Sequence, residues 1–128
     1  MKLALAALIV GLLMAPLPAL AHHAFAAEFD STKNVTVKGT VEKVEWTNPH
    51  IWIYVGMKAA DGTVTRWQCE GGSPNTLTRQ GWSRDSLKAG DQVSIEGFRA
   101  KNGSNTCNSR VVTTADGKRL FAGSSSGL

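Results

Sequence analysis

The chain reads as an all-β domain with a small α contribution, an OB-fold-like barrel of five to six strands with one short helix between strands 3 and 4. Three observations predict this. Apolar residues alternate with a period of two over several short runs, each bounded by Gly, Pro or Asp. The clearest helix start, Ser73-Pro74, falls after the third run. The first run also slips phase midway, as a strand does when it bends to serve both layers of a small barrel.

The elements follow in order. Strand 1 starts at Val35 and alternates through Val37, Gly39 and Val41, then shifts to Val44 and Trp46. A β-bulge near Thr40–Lys43 accounts for the shift. Thr47-Asn48-Pro49 ends it. Strand 2 runs His50 to Lys58, with Ile51, Ile53, Val55 and Met57 on one face and Trp52 and Tyr54 on the other. Ala60-Asp61-Gly62 is a hairpin turn. Strand 3, Thr63 to Glu70, places Thr65, Trp67 and Cys69 on one side. Ser73 is a good N-cap and Pro74 a good first helical residue, so the helix covers Pro74 to Gln80 and closes at Gly81. Trp82 is expected to pack back on the barrel. Lys88-Ala89-Gly90-Asp91 turns into strand 4, Gln92 to Arg99. A polar loop from Lys101 to Thr106 leads to strand 5, Cys107 to Thr114. Asp116-Gly117 turns into a last short strand, Arg119 to Ala122. The barrel domain is therefore residues 35–122. A lead-in segment, 22–34, precedes it, with Phe25 and Phe29 as apolar anchors. A small, polar tail, 123–128, is expected to stay mobile.

Residues 1–21 of the 128-residue chain read as an export signal. Lys2 gives the positive start, Leu3 to Met14 the apolar core, and Ala19-Leu20-Ala21 the small-x-small cleavage site. Pro16 and Pro18 make this run poorly suited to spanning a bilayer, and no later stretch is apolar enough. The expected product is a periplasmic or secreted bacterial protein without a transmembrane segment, one small domain in size. Removing Lys2 lowers the net charge of +4 by one. That is too little for a nucleic-acid-binding tail.

The two cysteines, Cys69 and Cys107, lack CxxC spacing. Export to an oxidising compartment favours a structural disulfide. It would close a loop of about 39 residues, worth about 3–4 kcal/mol. Free buried thiols and a metal-binding or reactive thiol are the alternatives.

Four stretches carry a family resemblance. They are His22-His23-Ala24-Phe25-Ala26-Ala27-Glu28-Phe29-Asp30, Trp46-Thr47-Asn48-Pro49-His50, Glu70-Gly71-Gly72-Ser73-Pro74-Asn75, and Gly90-Asp91 with Arg99-Ala100-Lys101-Asn102-Gly103-Ser104. Together they resemble a family of small exported bacterial proteins catalogued as a domain of unknown function. The resemblance implies an exported β-rich domain and brings no activity with it.

Three histidines occur, His22, His23 and His50. Cleavage after Ala21 makes His22 the new N-terminus. Its α-amine, with a pKa near ~7.7–8.0, and its ring can chelate one metal ion at neutral pH. A further imidazole from His50 or His23 completes a three-nitrogen set suited to copper(II). Glu28 or Asp30 would stand nearby. The bland reading is a solvated His22-His23 start and a hydrogen-bonding His50.

Trp46, Trp52, Trp67 and Trp82 suit either a small core or a ligand face. OB-folds bind ligands on the strand 2–3 face. There Trp52 and Trp67 would stack a ligand, and Arg99 and Lys101, with Arg66 and Arg110, would meet an anion. An anionic glycan or another envelope molecule suits the compartment better than nucleic acid. No HExxH, G-x-S-x-G or P-loop pattern occurs, so binding rather than catalysis is expected. The leading expectation is a copper(II)-binding protein. An envelope-ligand module is second, and an interaction protein without a small ligand third.

Overall fold

One long strand organises the molecule. In a computed structural model, which describes residues 25–123, β1 spans Phe29–Glu45. Its first part pairs antiparallel with β4 (Gln92–Ala100), and its second part with β2 (Trp52–Lys58). The handover falls at Thr40, which pairs with both Gln92 and Gly56. Just beyond, the register shifts between Val41 and Lys43, the bulge expected from the phase slip. Before it Val37 and Val41 are buried, and after it Val44 packs against the core. Gly39 is needed here because the strands cross closely. A Cβ on it would lie 2.2 Å from the Gly56 carbonyl oxygen.

The remaining elements close a ring. β3 is Val64–Glu70, α1 is Pro74–Arg79, β5 is Thr106–Thr114 and β6 is Arg119–Phe121. The sheet order is β3-β2-β1-β4-β5-β6, and β3 also pairs with β5. That last pairing is parallel and short: Gln68↔Thr106, Cys69↔Cys107, Glu70↔Asn108. It joins the edge strand β3 to β5 and so closes β1 to β5 into a ring, mostly antiparallel, with β6 paired outside it on β5 and the helix between β3 and β4 as expected. The Cys69–Cys107 disulfide lies on this seam, its Cα atoms 4.5 Å apart. A covalent link thus reinforces the shortest pairing in the ring.

The interior is filled by Ile51, Ile53, Val55, Ile95 and Val112. Leu77 of α1 and Trp82 beyond it join the same core. Ser73 caps the helix, its hydroxyl accepting from the Thr76 amide at 3.2 Å. Trp82 donates its indole N–H to the Phe121 carbonyl at 2.7 Å, which satisfies its polar atom inside the core.

Several boundaries differ from the sequence expectation: β3 begins at Val64, α1 ends at Arg79, β4 runs on to Ala100 and β5 begins at Thr106, each one residue from its expected place. β1 begins at Phe29, so residues 29–34 are strand and not lead-in. Phe29 is buried and pairs with Ala100, while Asn34 pairs with Phe98. The register is irregular between them. Polar side chains from Asp30 to Asn34 hid this pairing, because backbone hydrogen bonds hold it without an apolar period. β2 begins at Trp52. His50 and Ile51 lie in the preceding link, where Ile51 exchanges backbone hydrogen bonds with Gly71 and Gly72 at 2.9 and 3.0 Å. β6 ends at Phe121, one residue short. The expected signal, residues 1–21, lies outside the described residues, as do His22, His23 and residues 124–128 of the tail. Among the described residues no helix is long and apolar enough to cross a membrane.

Candidate functional site

The parallel seam brings unlike residues together at one end of the ring. Glu70 ends β3 and stands opposite Asn108 near the start of β5. His50 lies just before β2, whose first residue, Trp52, pairs with Glu70. The Nδ1–H of His50 donates to Oε1 of Glu70. The Asn108 side chain also hydrogen-bonds the Glu70 carboxyl. The two partners differ in exposure: the Glu70 side chain is 11% exposed and that of His50 39%.

This environment perturbs Glu70. Burial pushes its carboxyl above the ordinary Glu range, since the charged form loses hydration. His50 pulls the other way, and the nearby Glu28 carboxylate adds to the rise. Glu28 sits in a helical turn, residues 25–28, that leads into β1. Lys101 holds that turn twice. Its backbone N–H donates to the Glu28 carbonyl at 2.8 Å, and its ammonium donates to the Ala26 carbonyl. Phe25 packs beside Phe29 and Phe98, at ring centroid distances of 5.7 and 5.9 Å. The start of the described chain is therefore fastened beside Glu70.

The second ring nitrogen of His50 has no hydrogen-bond partner among the described residues. A histidine held through Nδ1 by a carboxylate presents Nε2 as an oriented, neutral donor for a metal. Among the described residues, no cluster of three or more His, Cys, Asp or Glu side chains is arranged to hold a metal ion.

The residues expected to form a ligand face separate into two groups. Trp52 and Lys101 line one cleft, together with Glu28, Gln68, Ser104 and Thr106. Trp67 lies elsewhere. It pairs with buried Val55 and packs against the core, whereas Trp52 pairs with Glu70 on the opposite face of the same hairpin. The two indoles do not form one platform. Arg99 covers Trp67, its guanidinium 5.4 Å from the ring centroid. It also donates to the carbonyls of Ser104 and Gly103 at 3.2 and 2.7 Å, which fixes the β4–β5 loop. Arg66 is paired with Glu42 at 3.1 Å, and Arg110 stands over Phe98 at 5.1 Å. Trp46 packs against Trp82 at 6.4 Å.

Sequence reasoning placed Glu70 only at the end of strand 3 and in the Glu70–Asn75 stretch, and it did not name Asn108. A signal for them existed. Each follows a cysteine of the disulfide, so a parallel pairing through Cys69–Cys107 sets Glu70 against Asn108.

The sequence profile of a family of unknown function (DUF6152) matches residues 10–109, well over half of the chain, and the chain belongs to that family. No curated protein matches it.

Proposed function

We propose that this member of DUF6152 is a small exported protein that binds copper(II), with His22 as the first residue of the mature chain. The α-amine and ring of His22 form a chelate, and Nε2 of His50 supplies a third nitrogen; His23 is the alternative donor. Nitrogen donors in this number favour copper(II) among the divalent metals.

The observation that carries the reading is the His50–Glu70 contact. A mostly buried carboxyl is costly unless it is hydrogen-bonded, and this one is spent on orienting an imidazole whose other nitrogen is unengaged among the described residues. The position of the chain start supports it as well. Three peptide steps separate His22 from Phe25, a reach of about 10 Å. Phe25 and Glu28 are fastened at the end of the ring that carries Glu70. The disulfide is in keeping with export to an oxidising compartment.

The test is a calorimetric titration of copper(II) into protein beginning at His22, alongside protein with one alanine placed before His22. The added residue turns the terminal amine of His22 into a peptide amide while leaving the fold intact. The reading requires submicromolar binding by the first protein and a clear loss in the second. Equal binding by both, or no binding tighter than micromolar, contradicts it.

A further inference from the structure

The outer face of β2 and β3 and the β4–β5 loop enclose a cleft of about 630 Å³. Small-molecule sites commonly span about 300–1,000 Å³. The half-buried indole of Trp52 lines it, with the side chains of Gln68, Asn102, Ser104 and Thr106, and with Glu28 and Lys101 from opposite sides of the lead-in contact.

The polar wall is already ordered. Gln68 Nε2 donates to Thr106 Oγ1 at 3.2 Å, and Ser104 Oγ donates to the same oxygen at 3.0 Å. Asn102 Oδ1 accepts from the Ser104 amide at 3.0 Å. The Gln68 backbone N–H donates to the Asn105 carbonyl at 3.0 Å, tying β3 to the loop. Arg99 fixes the loop from behind. Little ordering of these groups would remain for a ligand to impose.

The lining also selects a chemistry. Glu28 and Lys101 contribute one charge of each sign, and the Lys101 ammonium already donates to the Ala26 carbonyl. That is a poor setting for a polyanion. The amides and hydroxyls offer both donors and acceptors. An indole beside them offers an apolar plane. A pyranose needs this combination, since it has an apolar C–H face and a rim of hydroxyls that both donate and accept.

The geometry points to a binding site for a neutral saccharide, with a sugar ring stacked on Trp52 and its hydroxyls shared among Gln68, Asn102, Ser104, Thr106 and Glu28. None of these is a proposed copper ligand, so the two readings stand or fall separately.

The experiment is an NMR titration of ¹⁵N-labelled mature protein in EDTA. The probes are cellotetraose and tetra-N-acetylchitotetraose, with tetragalacturonate as the anionic comparison. Saturable shifts of the Trp52 indole N–H and the Gln68 and Asn102 side-chain amides with a neutral tetrasaccharide are expected. Trp52→Ala is expected to weaken that binding about tenfold. Asn102→Ala, on an exposed loop, is a second variant that tests the polar wall if Trp52→Ala unfolds, and it should weaken binding several-fold. The proposal is overturned if neither neutral probe moves these resonances, if the shifts cluster elsewhere, or if tetragalacturonate binds more tightly than both.

Discussion

Two groups of charged residues on β1–β3 and their flanks make opposite use of their partners. On the outer face of β1, β2 and β3, Lys43 pairs with Glu45 at 2.7 Å and Arg66 with Glu42 at 3.1 Å, all exposed. Tyr54 donates to Glu45 at 3.1 Å and carries the Lys43 ammonium 4.3 Å from its ring centroid. These charges are satisfied by fixed opposite charges and by water. At the seam, Glu70 is mostly buried, and its nearest basic partner is an imidazole, which carries charge only when protonated. A second carboxylate, Glu28, worsens its position. Surface pairs of the first kind contribute little to stability. Burial makes the ionised form of Glu70 costly, which makes the seam the better candidate for a retained function.

The seam depends on its covalent link more than on its pairing. Replacing Cys69 and Cys107 together by alanine is expected to lower stability by about 3–4 kcal/mol, read by urea unfolding. A loss below about 1 kcal/mol would mean that β3 and β5 hold the ring closed without the link. Gly97→Ala should come next. Its Cβ would lie 2.1 Å from the Asn108 carbonyl oxygen, so β4 and β5 must part beside the site. A cost of about 1–3 kcal/mol is expected, with altered amide shifts at Asn108 and Glu70. An unchanged midpoint would show that this crossing is loose.

On the outer face, Arg66→Ala should leave the unfolding midpoint nearly unchanged, because its pair is exposed and screened. A large loss there would erase the contrast between the two regions. The smallest effect concerns acid. Turn hydrogen bonds from Thr63 and Thr114 hold the carboxyls of Asp61 and Asp116 below the ordinary Asp value of 3.8. Their stabilisation is therefore full above that value and lost as pH falls through the lowered pKa values. Asp61→Asn and Asp116→Asn should flatten the acid limb of the stability profile slightly and leave neutral pH untouched.

Much of the ring was legible because local rules determine it. The phase slip between Val41 and Val44 announces the bulge, Ser73-Pro74 and Gly81 frame the helix, and two lone cysteines in a chain expected to be exported announce a bond. The pairing of residues 29–34 was not legible, since Asp30 to Asn34 carry no apolar period. The separation of Trp52 and Trp67 was within reach. Trp67 lies two residues from Cys69 and so shares its inward face, whereas Trp52 alternates against Ile51 and Ile53. The His50–Glu70 contact was hidden because it depends on the register of β2 with β3, which the nineteen intervening residues do not declare.

The most direct measurement compares copper(II) affinity, by calorimetry, for three proteins beginning at His22: the unaltered chain, Glu70→Gln and Glu45→Gln. The account predicts that Glu70→Gln binds about 10–100-fold more weakly, with changed nitrogen hyperfine structure in its electron paramagnetic resonance spectrum, while Glu45→Gln matches the unaltered chain. Identical affinities and spectra across all three would contradict the assignment of Glu70 as the group that aims His50 at a metal.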